Sequence, residues 1–199
     1  ITGCTTDKEK FEAFAAVLPG AIGNPVYTWA HLELRRYFDC SLPLGPETAE
    51  EIWHLCKQKL QNGFSVRKII RSSNVEVICT TDDPVDSLAW HKAIAKDESF
   101  EAKVLPTFRP DKAVNIQNNG FAAYIKQLED ASGVPSQSFD DVCRALLARL
   151  EYFVQQGCRF ADHGLEAAPW NNEKYDLDKI FNRGMAGETL ELGEMQAYQ

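Results

Sequence analysis

The sequence is short of positive charge. Its 29 Asp and Glu outnumber 21 Lys and Arg, leaving a formal net charge of -8. That excludes the basic surface on which non-specific nucleic-acid binding depends. No apolar run approaches about 18 residues, so no membrane span is expected. No basic segment followed by an apolar one opens the chain, so no secretory signal is expected. The chain begins at Ile1 rather than Met, which predicts a processed or excised terminus. Internal repeats and low-complexity tracts are absent. The six cysteines, at 4, 40, 56, 79, 143 and 158, show neither CxxC nor metal-ligand spacing. Cys79 and Cys158 sit in apolar runs, where a buried reduced thiol is usual. Reduced cysteines and a cytoplasmic setting are the expectation.

What is present suits a soluble globular chain: 199 residues with 44% hydrophobic content, enough for one domain or part of a larger one. Residues 1–72 read as helical. Asp7 is expected to cap a helix to Val17, with Phe11, Phe14, Ala15 and Leu18 on one face. Asn24-Pro25 pairs a cap with a proline at the first helical position and opens a helix to about Phe38. Thr48 starts a third, with Ile52, Leu55, Cys56 and Leu60 at helical spacing and Gly63 just past its end. Ser65 caps one or two further turns.

From 73 to 199 the pattern changes. Short β-branched or apolar runs at 75–80, 101–106 and 158–161 read as strands. Asp83-Pro84 is expected to open a helix to about Ala95, and Asn119 one to Ala131. Ser138 with Asp141 resembles a capping box, opening a helix to Gln156 that Gly157 ends. From about Asn172 the chain reads as helical. Strands alternating with helices predict an α/β fold with three adjacent parallel strands.

In parallel α/β architectures, functional groups gather where a strand ends and the next helix begins. Three segments lie there: Thr80-Thr81-Asp82-Asp83-Pro84, Thr107-Phe108-Arg109-Pro110-Asp111-Lys112 and Asp162-His163-Gly164. Asp83 reads as a helix cap, and Asp82 either assists it or faces a site. Arg109 either pairs with Asp111 or grips a ligand carboxylate with its forked guanidinium. His163 is either a satisfied core histidine or a rim group, and Asp162 is its orienting partner or a structural bond. Of the histidines, His31 and His54 fall in the helical region and His91 well along a helix, leaving His163 alone at the rim. One imidazole with nearby carboxylates makes a poor zinc site, so no metal or other cofactor is expected in this chain by itself.

The same segments carry a resemblance. Asn24-Pro25-Val26-Tyr27-Thr28-Trp29-Ala30-His31-Leu32-Glu33-Leu34-Arg35-Arg36-Tyr37-Phe38 resembles a distinctive stretch of the uronate isomerases. Thr80 to Leu88, Leu105 to Lys112 and Asp162-His163-Gly164-Leu165 are similar to three further signatures of that family, in family order and spacing. The resemblance implies the amidohydrolase superfamily and a distorted (β/α)8 barrel. This chain would supply its strands two to four after a helical excursion, as an internal segment. It implies aldose–ketose isomerisation of D-glucuronate to D-fructuronate and of D-galacturonate to D-tagaturonate. It also implies a divalent metal, commonly zinc, held by a His-x-His on strand one and an Asp on strand eight. Neither is found in this sequence, so the chain alone is expected to be inactive and to self-associate through exposed strand edges, as a homo-oligomer. Arg109 matches the arginine that binds the uronate carboxylate; no firm role passes to Asp82, Asp162 or His163. Two alternatives stand beside this: another amidohydrolase-superfamily hydrolase or decarboxylase, and a non-catalytic helical module presenting Trp29, His31, Arg35 and Arg36.

Overall fold

The computed structural model describes residues 5–165, 169–170 and 173–199. Cys4 and Asn172 fall outside them. The polypeptide falls into two compact units, Ile1–Val75 and Glu76–Gln199.

The first unit is helical: α1 (Asp7–Val17), a 3-10 turn (Leu18–Ala21), α2 (Pro25–Phe38), α3 (Ala49–Gln61) and α4 (Val66–Ser72). Its ends follow capping chemistry. Asn24 Oδ1 accepts from Val26 N at 3.0 Å, and Ser65 Oγ from Lys68 N at 3.3 Å. For α1 the cap is Thr6, not Asp7. Thr6 Oγ1 accepts from Glu9 N at 3.3 Å while Glu9 returns a bond to Thr6 N at 2.7 Å. A cap at Asp7 would put Lys10 in the returning position, which has no acceptor to offer. The core joins Ala15, Leu18, Leu34, Cys40, Leu44, Ala49 and Ile52. Ile52 is fully buried, a burial worth roughly 2–3 kcal/mol.

His31 belongs to this packing. Its Nδ1 donates to Tyr27 O at 2.7 Å, and its Nε2 accepts from Leu44 N at 2.8 Å. A carbonyl only accepts and an amide N–H only donates, so the ring is neutral with its proton on Nδ1. Trp29, Arg35 and Arg36 are exposed instead. The four residues expected to present one face therefore divide, with His31 half-buried against the 40s loop.

The second unit is α/β. Strands β1 (Val77–Cys79) and β2 (Lys103–Leu105) pair in parallel, in the register Val77↔Lys103, Ile78↔Val104, Cys79↔Leu105. Around them run α5 (Ala89–Ile94), α6 (Asp111–Val114), α7 (Phe121–Ser132), α8 (Phe139–Gln155), α9 (Leu177–Met185) and α10 (Leu192–Tyr198). The main core fills the space among the last four helices with Phe121, Tyr124, Ile125, Leu128, Val142 and Phe181, among others. A smaller cluster of Leu88, Phe108, Phe153 and Cys158 lies with the strand ends.

Four expectations are corrected here. The third strand, expected at 158–161, reduces to one parallel bridge, Phe108↔Ala161. Cys158 N donates to Phe153 O at the end of α8, so it is not free for a ladder, and Cys158 O already accepts from Arg159 Nη1. The helix expected from Asp83 begins only at Ala89. Its would-be first turn is held as a loop: Asp83 Oδ1 accepts from Val85 N, Asp86 Oδ1 accepts from Leu88 N, and Leu88 takes a left-handed φ of 53°. The carbonyls a helix would need are drawn off instead, Pro84 O (2.6 Å) and Asp86 O (2.8 Å) by the buried Arg149, and Ser87 O by Tyr152. The capping box at Ser138 closes by half, because Asp141 returns its carboxylate to Gln137 N rather than to Ser138 N. Cys79 is exposed together with Val77, since alternate residues of a strand share a face; Cys40 and Cys158 are buried, and the described cysteines are free thiols. No described helix is long and apolar enough to cross a membrane.

Candidate functional site

Backbone hydrogen bonds carry the sheet beyond its strands and draw the three chemistry-bearing segments together. Asp82 N donates to Thr107 O and Arg109 N to Asp82 O, both at 3.0 Å. On the other side Phe108 N donates to Phe160 O at 3.1 Å and Asp162 N to Phe108 O at 3.2 Å. Phe108 is the hinge of both bridges, and its ring packs edge-on against Phe153 at 5.3 Å. Burying that aromatic ring fixes the backbone from which Arg109 projects.

Arg109 and Asp162 meet as a fork on a carboxylate. Nε donates to Oδ1 at 3.0 Å and Nη2 donates to Oδ2. The bond from Arg109 holds the Asp162 carboxyl below its usual range, and the same bond raises the guanidinium further. Asp111 Oδ2 stands 4.0 Å from Arg109 Nε and accepts the Gly164 N–H at 2.9 Å. A Cβ at Gly164 would lie 2.8 Å from Asp111 Oδ2, so a larger residue there would make the Asp111 carboxylate shift. Asp111 Oδ1 is buried with no hydrogen-bond donor and lies 3.7 Å from His163 Nδ1. Arg109, with Asp162 forked on it, and His163 thus both stand against Asp111. The first two side chains remain 35% and 45% exposed, so solvent and small solutes reach the pair.

Asp82 is engaged differently. Its Oδ2 accepts from Thr80 Oγ1 at 2.6 Å and from Thr107 N at 3.2 Å. Thr80 Oγ1 also lies 2.7 Å from His91 Nε2, which is itself 3.7 Å from Asp82 Oδ2. His91, placed by the sequence well along a helix and away from the rim, is in fact joined to the strand end. The late start of α5 is the reason: with Ala89 first, His91 falls in the opening turn. Asp83, expected as a helix cap, instead accepts from Tyr124 Oη at 2.9 Å and pairs with Lys112 at 3.2 Å. Burial, then the neighbouring Asp83, push the Tyr124 hydroxyl far above its usual range. Tyr124 joins this network without having been singled out by the sequence; the signal available was a hydroxyl-bearing ring on the apolar face shared with Phe121, Ile125 and Leu128.

These side chains do not compose a metal site. Both Asp162 oxygens face a guanidinium, and one Asp111 oxygen serves an amide. Among the described residues no group of three or more His, Cys, Asp or Glu side chains could hold an ion.

Parallel strands with charged side chains gathered at their carboxyl ends define the class: an α/β unit of the kind in which such strand ends carry functional groups. The family follows from comparison with known proteins. The glucuronate isomerase family model matches residues 1–199, and the chain belongs to that family. A uronate isomerase of Lachnoclostridium phytofermentans is 49% identical over 199 residues, covering 98% of this chain and 43% of the relative. One from Photorhabdus laumondii is 48% identical over 204 residues, covering 100% and 43%. The crystal structure of the Thermotoga maritima uronate isomerase superposes with a TM-score of 0.91 at 36% identity, over all of this chain and 44% of that one. That of a Caulobacter crescentus glucuronate isomerase gives 0.83 at 21% identity, covering 96% and 40%, a likeness of fold alone. The chain spans less than half the length of the curated relatives it matches.

Proposed function

We propose that this chain is the segment of a uronate isomerase that grips the sugar's carboxylate. The carrying observation is the bidentate Arg109–Asp162 pair at the strand-end rim. Asp162 fixes the plane of the guanidinium through Nε and Nη2, which leaves its Nη1 side to donate to a ligand carboxylate, and the partial exposure of the pair gives a ligand access to it. In the reaction proposed, the acyclic form of D-glucuronate becomes D-fructuronate, and that of D-galacturonate becomes D-tagaturonate. A base takes the proton from C2, a cis-enediol forms, and a proton is returned to C1, with no net gain or loss of electrons. In this reading Arg109 anchors the far end of the substrate, Asp162 aims the guanidinium, and Asp111 with His163 sets the charge around it. The strands would form units two to four of a (β/α)8 barrel in a cytoplasmic homo-oligomer. The divalent metal, zinc by family resemblance, would have to be held by residues other than those described.

The test is Arg109→Lys in the intact polypeptide that carries this segment. Replacing a fork by a point charge should raise KM for glucuronate about 10- to 100-fold, the worth of a charge-assisted hydrogen bond. Unchanged KM and kcat would rule out the carboxylate role.

A further inference from the structure

The resemblance gives His91 no role, and it is not one of the converging charges. The hydrogen bonds nonetheless lead from it to Arg109. Asp82 holds the 107–109 backbone at three points: Asp82 N to Thr107 O (3.0 Å), Arg109 N to Asp82 O (3.0 Å), and Thr107 N to the Asp82 carboxylate (3.2 Å). The carboxylate is in turn fixed by the Thr80 hydroxyl at 2.6 Å. That hydroxyl has one proton, and a carboxylate can only accept. With the proton given to Asp82, the 2.7 Å contact between Thr80 Oγ1 and His91 Nε2 needs the imidazole to be the donor. The Asp82 and His91 side chains are only 11% and 12% exposed, so water is a poor substitute for either.

We propose that His91 is a positioning residue for substrate binding, acting through Thr80 and Asp82 on the backbone that projects Arg109. The inference rests on the carboxylate-gripping role of Arg109. His91 itself does not touch the sugar. Its Nε2–H holds the Thr80 hydroxyl toward Asp82, whose carboxylate then keeps its grip on Thr107 N. Without it, the hydroxyl can turn to its other acceptor, Leu105 O at 3.3 Å, releasing one side of the clamp.

The experiment uses the intact polypeptide with His91→Phe, His91→Gln, Thr80→Val and Arg109→Lys, read by hydrogen exchange and by glucuronate kinetics. Gln places an amide N–H near the lost Nε2; Phe keeps the ring and loses the donor. His91→Phe and Thr80→Val should speed exchange of the Thr107 and Arg109 amides about tenfold and raise KM several-fold with kcat nearly unchanged. His91→Gln should restore both. Exchange and KM both unmoved in His91→Phe and Thr80→Val, with Arg109→Lys raising KM, would overturn the positioning role alone. Faster exchange with KM unmoved in every variant, Arg109→Lys included, would uphold the link to the Arg109 backbone and overturn the carboxylate reading. Uniformly faster exchange across all helices, unrescued by Gln, would reduce His91 to a packing residue. If His91→Phe does not fold, Thr80→Val carries the same decision.

Discussion

The two units differ in where they place charge. In Ile1–Val75 the ion pairs lie on the surface: Lys8 reaches Glu50 at 2.6 Å and Glu12 at 3.6 Å, and Lys59 meets Asp39, with most of these side chains well exposed. The interior beneath them is apolar. Glu76–Gln199 has surface pairs as well, such as Lys126 with Asp130 at 3.4 Å, but there a charge also turns inward and shapes the fold. Arg149 is 8% exposed and donates to three carbonyls, of Pro84, Asp86 and Ala131, with no carboxylate among its hydrogen-bond partners. One of these carbonyls lies near the C-terminal end of α7, where a helix presents partial negative charge. Its guanidinium also stacks 4.2 Å over Tyr152. The lesson is that an isolated ion pair says little about function, while a buried charge that dictates a loop's path marks the loop as worth constraining.

The largest test of this contrast is Arg149→Leu. It keeps bulk but leaves three carbonyls without their donor, and should destabilise the fold by about 3–5 kcal/mol in urea titration. A loss under about 1 kcal/mol would erase the difference between the units. The next is a pH effect. Tyr124 and Tyr198, both buried in the second unit, have hydroxyls raised well above the usual value of about 10. Above that value the unfolded polypeptide sheds protons that the folded one retains. Stability should therefore be full below pH ~10 and fall as pH rises beyond it. Tyr124→Phe should make that alkaline decline shallower, leaving the part due to Tyr198. An identical slope would show that burial of this ring carries no linkage. The smallest effect belongs to the first unit: Lys8→Gln should leave Tm unchanged within error in a thermal scan, despite the 2.6 Å contact with Glu50. A clear drop in Tm would make the surface pairs more than decoration.

Local chemistry is legible in the sequence and convergence is not. Asn24-Pro25, Ser65 and Ser138 announce their helices because a cap and the amide it serves lie within three residues of each other. The two parallel strands are legible from short β-branched or apolar runs, though shorter than expected. Asp83-Pro84 misleads because the same residues that cap a helix also build a turn, and the choice is made by Arg149, 65 residues away. For Arg109, which follows β2, the sequence offers Asp111, two residues on, as its partner. The fork instead closes on Asp162, 53 residues on, with Asp111 only at 4.0 Å. His91 looks remote only when counted from a helix start that the fold does not use. Each miss is a long-range contact overriding a short-range rule.

The reach of Arg149 also bears on the order in which the protein acquires its shape. The His31–Leu44 contact closes a loop of 13 residues. By contrast, Tyr124 reaches Asp83 across 41 residues, Arg109 reaches Asp162 across 53, and Arg149 reaches Pro84 across 65. Closing longer loops forfeits more conformational entropy before any contact rewards it, so such contacts form slowly. The turn at 84–88 has no internal helix to fall back on, and it takes its path only when α8 arrives with Arg149. The expected order is helices first, then the turn, and last the groups that would meet a ligand. Refolding should therefore regain helical signal well before the strand-end rim is assembled.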